Sequence, residues 1–157
     1  MEELREVMRK WTTGVSVITT ETKGVIHGMT VGSLVSLSID PPRVAVTLAT
    51  QTRLHRMVQE GGLFGITILS AGQQGLSDRF SGAIADQKDR MSGVPLLRLV
   101  EDIPVIQDGL GVLACRVVHK YEMPQSTLFV AEVLEARAVS SDDALVYANR
   151  KYHQLEL

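Results

Sequence analysis

Two neighbouring segments decide the fold: Gly111-Val112-Leu113-Ala114-Cys115-Arg116-Val117-Val118-His119-Lys120-Tyr121-Glu122-Met123 and Thr127-Leu128-Phe129-Val130-Ala131-Glu132-Val133-Leu134-Glu135-Ala136-Arg137-Ala138-Val139. In the first, Val112, Ala114, Arg116 and Val118 alternate with Leu113, Cys115 and Val117, the period-two pattern of a strand. The second is long as well, and only Pro124-Gln125-Ser126 separates the two, so they read as hairpin-connected strands. Long apolar strands with open edges invite aggregation, and closing the sheet on itself removes the edges. The expectation is a mainly β protein built on a closed or nearly closed antiparallel barrel.

Working outward, shorter strands precede the hairpin. Leu96–Leu99 and Pro104–Ile106 are brief, and Phe64, Ile66 and Ile68 alternate. Val44–Ala49 and Val35–Ile39 alternate too, with Asp40-Pro41-Pro42 as the turn between them, because a Pro-Pro pair cannot donate to a ladder. Val15–Thr20 is rich in β-branched residues, and Lys23-Gly24 marks a hairpin-like turn. Leu145-Val146-Tyr147 follows the polar turn Ser140–Asp143 as a further strand. Helices are few. Leu4, Val7, Met8 and Trp11 share one face of a short amphipathic helix. Thr52 is placed to cap a second, with Leu54, Met57 and Val58 buried and Gly61-Gly62 as its stop. Ser70 is placed to cap a third over Ala71 to about Phe80, with Leu76 and Phe80 inward. Ser81–Gly93 has no period and reads as an irregular loop of about thirteen residues, long enough to suggest a functional role.

The whole chain of 157 residues reads as a single domain, 1–157. Its 45% hydrophobic content suits a packed core, and 4% aromatics make that core aliphatic. Sixteen basic against 18 acidic residues give a net charge of −2, which leaves no basic surplus for nucleic acid. The stretches without charge, Val25–Ile39 and Gly61–Ser77, are too polar and too short to span a bilayer. The acidic opening Met1-Glu2-Glu3 is unlike a signal peptide, so a cytoplasmic location is expected. The lone Cys115 can form no internal disulfide.

Phosphate-loop, Rossmann, zinc-protease, Cys-x-x-Cys and serine-hydrolase motifs are absent. His27, His55, His119 and His153 show no metal spacing and read as structural or surface residues, so no metal site and no catalytic acid, base or nucleophile is assigned. Three stretches have ligand-binding character. Gly28–Pro42 is dense in Gly, Ser and Thr, which lets a flat ligand approach the backbone; an ordinary Ser/Thr-rich strand explains it equally well. Ala49–Arg56 joins a strand end to a helix start with Arg53, His55 and Arg56 nearby, which suits a phosphate; a plain capped helix also accounts for it. Arg79-Phe80-Ser81-Gly82 places a cation and an aromatic at the entry to the loop, or else a core Phe beside a surface Arg.

Taken in order, these stretches resemble the flavin reductase-like family, the FMN-binding split barrels that serve two-component flavin monooxygenases. The resemblance is carried by Thr13–Thr20, Gly28-Met29-Thr30, Ser36–Pro42, Phe64–Leu69, Arg79–Gly82, Gly93–Leu97, Cys115–Val118, Phe129–Val133 and Tyr147–His153, nearly the whole chain. It implies a six-stranded Greek-key split barrel in a homodimer, with flavin near the dimer interface. Met29, Thr30, Ser33, Leu34, Val35 and Ser36 would line the isoalloxazine and ribityl chain. Thr50, Gln51, Thr52 and Arg53 would hold the phosphate. Arg79 and Phe80 would lie beside the flavin or nicotinamide, and Arg150, Tyr152 and His153 would close the pocket.

The implied activity is that of an NAD(P)H-dependent flavin oxidoreductase: hydride passes from NAD(P)H to N5 of FMN, with FAD as the alternative flavin, and a partner monooxygenase takes the reduced product. The cofactor carries that chemistry, so the missing acid–base residues are compatible with it. One departure opens another reading. Many members carry Gly-Asp-His, whose His helps seat the nicotinamide, where this chain has Pro124-Gln125-Ser126. An FMN-binding electron-transfer protein reduced by a protein partner therefore stands beside the reductase, as does a module for haem or another flavin-like cofactor.

Overall fold

The computed structural model describes residues 1–82 and 89–155. The elements that position the site are helix α1 (Glu2–Arg9) and strands β1 (Thr13–Gly14), β2 (Ser16–Thr22), β3 (Val25–Val31), β4 (Val35–Ser38) and β5 (Arg43–Ala49). Helix α2 (Arg53–Gly61), strand β6 (Leu63–Ile68) and helix α3 (Gln74–Ser81) follow. The second half holds β7 (Leu96–Arg98), β8 (Pro104–Ile106), β9 (Gly111–Glu122), β10 (Ser126–Ala138), β11 (Leu145–Ala148) and β12 (Lys151–Gln154).

The β9–β10 hairpin is the spine of one antiparallel sheet of order β3-β2-β6-β9-β10-β5-β4. The expected six strands are thus seven. The Val25–Ile39 stretch supplies two of them, because the chain leaves the ladder at Gly32–Leu34 and rejoins the other end of the sheet as β4. The two edges, β3 and β4, are consecutive in the chain and are not neighbours in the ladder. The sheet nevertheless curls: Ile18 and Val31 from one end meet Val44, Val46 and Leu48 from the other in one core, with Phe64, Cys115 and Phe129 between them. Leu54 and Val58 of α2 fill the same core, as their periodicity predicts.

On the opposite face, Val112 and Ala114 pack under Leu99, Ile103 and Val105. The β7–β8 hairpin is held there by Thr19 Oγ1, which donates to the Pro104 carbonyl at 2.5 Å, and by Thr67 Oγ1, which accepts the Ile106 amide at 3.0 Å. Gly65 permits this approach, since a Cβ there would lie 2.6 Å from Val105 Cγ1 and nearer still to the Pro104 carbonyl. A third cluster joins Phe80 of α3 to Val15, Val17, Leu69, Ile106 and Leu145.

Some expectations shift. The third helix begins as a 3-10 turn, Ala71–Gln73, before α3 proper. Thr13-Gly14, just after the first helix, is a short strand paired with β11. The tail is a full hairpin, β11–β12, turning at Asn149 and Arg150, both with positive φ. Of the expected irregular loop, Ser81 ends α3 and residues 83–88 lie outside the described residues. Among the described residues no helix is long and apolar enough to cross a membrane.

Cys115 is fully buried, and burial pushes its thiol up to about 12. At neutral pH it is an uncharged packing group rather than a nucleophile. Aromatic disulfide reagents are expected to leave it unmodified in the native protein and to titrate one thiol in denaturant; rapid labelling without unfolding would contradict its place in the core.

Candidate functional site

Strand alternation divides β3 between two environments. Met29 and Val31 pack on the main core, while Gly28 and Thr30 face α3. A Cβ at Gly28 would lie 3.1 Å from the Phe80 ring and 3.3 Å from Met91 Cε, so the bare backbone rests on these two side chains. Phe80, fully buried, is a floor under β3 rather than an open ring. Thr30 Oγ1 donates to the Ser77 carbonyl at 2.7 Å, which pins α3 alongside.

Beyond β3, Leu34 packs on the core, and Ser33 Oγ is locked against Thr47, donating to its carbonyl at 3.0 Å and accepting its amide at 3.2 Å. Val35 and Ser36 are exposed on edge strand β4. The Gly28–Ser36 stretch therefore offers backbone and edge, as its small residues suggested, more than free hydroxyls.

The start of α2 is the second part. Thr52 Oγ1 accepts the His55 amide at 3.2 Å and donates to the Ala49 carbonyl at 2.7 Å, so its one proton is committed to the cap. The helix has no acceptor for the Arg53 and Leu54 amides, which leaves them for an anion. Thr50, Gln51 and Arg53 are exposed beside them, and among the described residues no carboxylate pairs with Arg53. Two amides, a hydroxyl and a guanidinium at a helix's positive end suit a phosphate.

His55, by contrast, turns inward. Its Nε2 lies 2.8 Å from Thr127 Oγ1 and its ring 5.6 Å from that of Phe129, which ties α2 to β10. The Thr50 amide donates to the Gln125 carbonyl at 3.0 Å. The Pro124–Ser126 turn thus sits against the helix start, joined to it by the chain's own hydrogen bonds.

Two grooves flank these elements. One, of about 410 Å³, is lined by Thr30, Gly32, Ser77, Tyr147, Arg150 and Tyr152, among others. Tyr152 OH lies 2.6 Å from Ser77 Oγ, and burial raises its phenol above the ordinary value, so it stays protonated at neutral pH. Arg150 reaches this groove from a left-handed backbone at φ 61°, a conformation that costs roughly 1–2 kcal/mol outside glycine. His153, next along β12, points elsewhere: its Nε2 lies 3.1 Å from the Ala148 carbonyl.

The other groove, about 670 Å³, is lined by His27 and Gly28 of β3, Arg53 of α2, and Asp89, Arg90, Met91 and Ser92. Arg79 does not line it. It binds the backbone behind it, with Nε 2.5 Å from the Arg90 carbonyl and a second bond to the Ser92 carbonyl.

The structure so brings Arg53 together with His27 and Arg90, neither of which sequence reasoning selected. Arg53 and Arg90 lie far apart in sequence, and His27 looked like one more scattered histidine. Its place one residue before the ligand-like stretch was the only local signal.

A sequence model of the flavin reductase like domain matches residues 8–156. An NADH-dependent flavin reductase from Rhodococcus sp is 32% identical over 157 residues, spanning 98% of this chain and 86% of that protein. The solved flavin reductase PheA2 superposes with a TM-score of 0.91 at 34% identity, covering 99% of this chain and 98% of that one. The styrene monooxygenase flavin reductase from Pseudomonas putida S12 does so at 0.88 and 29%, with the same coverage. Curled sheet, capped helix and flanking grooves are thus those of a flavin reductase, an oxidoreductase class. The chain belongs to the flavin reductase-like domain family.

Burial, then the Arg53 and Arg90 charges, hold the His27 imidazole below its ordinary value of 6.5. A histidine depressed in the native state takes up protons more readily when unfolded. It therefore adds stability above pH 6.5 that is lost as pH falls toward the native value. His27→Gln is expected to lose less thermal stability than the parent on acidification from pH 7 to about pH 5. Parallel melting curves for the two proteins would refute the shift.

Proposed function

We propose that this chain is an NAD(P)H-dependent flavin oxidoreductase that binds FMN and supplies reduced flavin to a partner monooxygenase. The observation that carries the reading is the α2 start, where two uncommitted amides, Thr50 and Arg53 meet, with Arg53 sharing a groove with Gly28 of β3. One phosphate fits there, as FMN requires. The family membership supports the reductase class, and the open seam between β3 and β4 in a curled sheet supports the split-barrel reading.

A flavin held here would supply the redox chemistry, that of hydride acceptance from NAD(P)H. The chain's own work is placement. Arg53 and the helix amides hold the phosphate; Met29 and Leu34 fix the backbone on which the ring would lie. Arg150 and Tyr152 guard the neighbouring groove. None of these groups must exchange a proton, which agrees with the absence of a general acid or base in this reading.

The nicotinamide side carries the departure already described. Ser126 stands at the start of β10 where the family often has His, and neither remaining candidate replaces it: His55 is committed to Thr127 and His153 to Ala148. Placement of the nicotinamide then relies on packing and on the two grooves. Purified protein with FMN is expected to oxidise NADH or NADPH above the flavin-only blank, and Ser126→His to lower KM for the nicotinamide. Absence of any turnover, with flavin reduced instead by a protein donor, would favour the electron-carrier alternative.

The reading includes a homodimer. Leu4, Val7, Met8 and Trp11 form one apolar face of α1, and all four are exposed, Trp11 at 68%. No described residue of the same chain buries that face, whereas a second copy of it would. The face adjoins Arg150, since Met8, Trp11 and Arg150 line a common cleft. Sedimentation at micromolar protein is expected to give twice the chain mass, and Trp11, the only tryptophan, to emit at shorter wavelength in the dimer than after dissociation. A monomer mass would end this part of the reading.

A further inference from the structure

His55 has no task in the chemistry above, yet it is committed twice. Its backbone amide is held by the Thr52 cap at 3.2 Å, and its ring leaves the helix to meet Thr127 Oγ1 at 2.8 Å. The bond is buried: His55 is 8% exposed and Thr127 1%. Two polar groups buried against each other have no water to fall back on, so breaking the bond leaves both unsatisfied. The Phe129 ring, 5.6 Å from the imidazole, crowds it further.

This bond joins two turns. On one side is the first turn of α2, where the Arg53 and Leu54 amides have no helix acceptor. On the other is the β9–β10 turn, Pro124-Gln125-Ser126, whose Gln125 carbonyl accepts the Thr50 amide at 3.0 Å. The segment before the helix therefore grips the turn at residue 125, and the helix itself grips its far side at residue 127. Ser126 lies between the two grips, paired with Ala49 in the β5–β10 ladder. Among the described residues, the His55–Thr127 pair is the only side-chain hydrogen bond between α2 and β10. An anion drawn onto the free amides would fix the first turn of α2, and His55 belongs to that turn. Its ring would carry the constraint to Thr127, one residue past Ser126.

We infer that His55 is a positioning residue which, through Thr127, couples occupancy of the phosphate site at α2 to the ordering of the Pro124-Gln125-Ser126 turn. The inference rests on the reading that α2 holds the flavin phosphate, and it adds regulation to that site. The turn is set for a second ligand when the first is in place. Coupling between sites is reciprocal, so a nicotinamide held against the turn tightens the flavin by the same factor. His55 acts through Thr127 rather than on either ligand.

FMN against riboflavin isolates the phosphate, because the two flavins differ by that group alone. Hydrogen exchange read by mass spectrometry follows the coupling without turnover. In the parent, FMN is expected to slow exchange over residues 50–56 and 123–127, and riboflavin to leave 123–127 unchanged. Thr127→Val keeps the shape and removes the hydroxyl. It is expected to retain FMN protection over 50–56 and to lower that over 123–127 about fivefold, the worth of one hydrogen bond. Thr127→Ser restores the hydroxyl and is expected to restore the protection. The single Val variant leaves the imidazole unpartnered in the core. His55→Phe combined with Thr127→Val replaces both partners by apolar groups, which preserves packing, and is expected to show the same uncoupled pattern. A purely structural bond would lower the melting temperature of Thr127→Val and leave the FMN–riboflavin difference over 123–127 intact.

Kinetics give a second readout. In the parent, KM for NADH is expected to be at least about threefold lower at saturating FMN than at saturating riboflavin, and in Thr127→Val the two are expected to agree within about twofold. FMN protection over 50–56 with none over 123–127 in the parent would overturn the inference. So would a difference between the flavins that survives in both variants, or equal KM values in a parent that turns over. A parent that shows no preference for FMN over riboflavin and no protection over 50–56 would remove the phosphate site, and the inference with it. Protection of both segments in a protein that oxidises no NAD(P)H would strike the reductase reading alone and leave the coupling standing.

Discussion

The burial of α2 in the mouth of the curled sheet is the constraint on which the site depends. Leu54 and Val58 enter the same core as Val46, Leu48 and Phe129, and Met57 is buried with them. Each such side chain is worth roughly 1.5–3 kcal/mol, against about 1 kcal/mol for the Thr52 cap. Packing therefore decides where the helix lies and which way its first turn opens; the cap only finishes the end. Once the helix is seated, its free amides, Thr50 and Arg53 have one available direction, toward the edge of β3. The His55–Thr127 hydrogen bond then locks the first turn to β10.

The site that results is made mostly of backbone and of groups already at work elsewhere. Ser33, Thr30 and Thr52 each spend their hydroxyl proton on a carbonyl, of Thr47, Ser77 and Ala49. A protein that must position a reactive cofactor, rather than react itself, can use its polar side chains this way. They hold strands and helix rigid, and the ligand meets amides, a few exposed side chains and arginines. Buried hydroxyls with satisfied bonds carry no penalty, whereas the same groups aimed into an apolar groove would lose water without return whenever the ligand is absent.

Much of the fold was legible along the chain. The β9–β10 hairpin, the strands before it and the buried face of α2 all follow from local periodicity, and they appear where that periodicity puts them. The Thr52 cap and the inward Leu76 and Phe80 were legible for the same reason. The place of β4 at the far edge of a seven-stranded sheet, the 3-10 start of the third helix and the pairing of Thr13-Gly14 with β11 were not. Each depends on a partner distant in sequence: β4 exists because β5 accepts it, and β1 because the tail returns to it.

Candidate site residues divide along the same line. Those grouped by the chain itself, such as Thr50–Arg53, stay grouped in space. Those joined only by resemblance divide: Arg150 and Tyr152 meet Thr30 in one groove, whereas Phe80 goes to the core, Arg79 to the backbone of 90–92, and His153 to the Ala148 carbonyl. The amino-acid sequence by itself determined the strands, the capped helix and the family, because alternation, capping and motif order are local or ordered along the chain. Only the tertiary structure decided that His27, Arg53 and Arg90 share one groove, because that meeting requires the sheet to curl and α2 to sink into it.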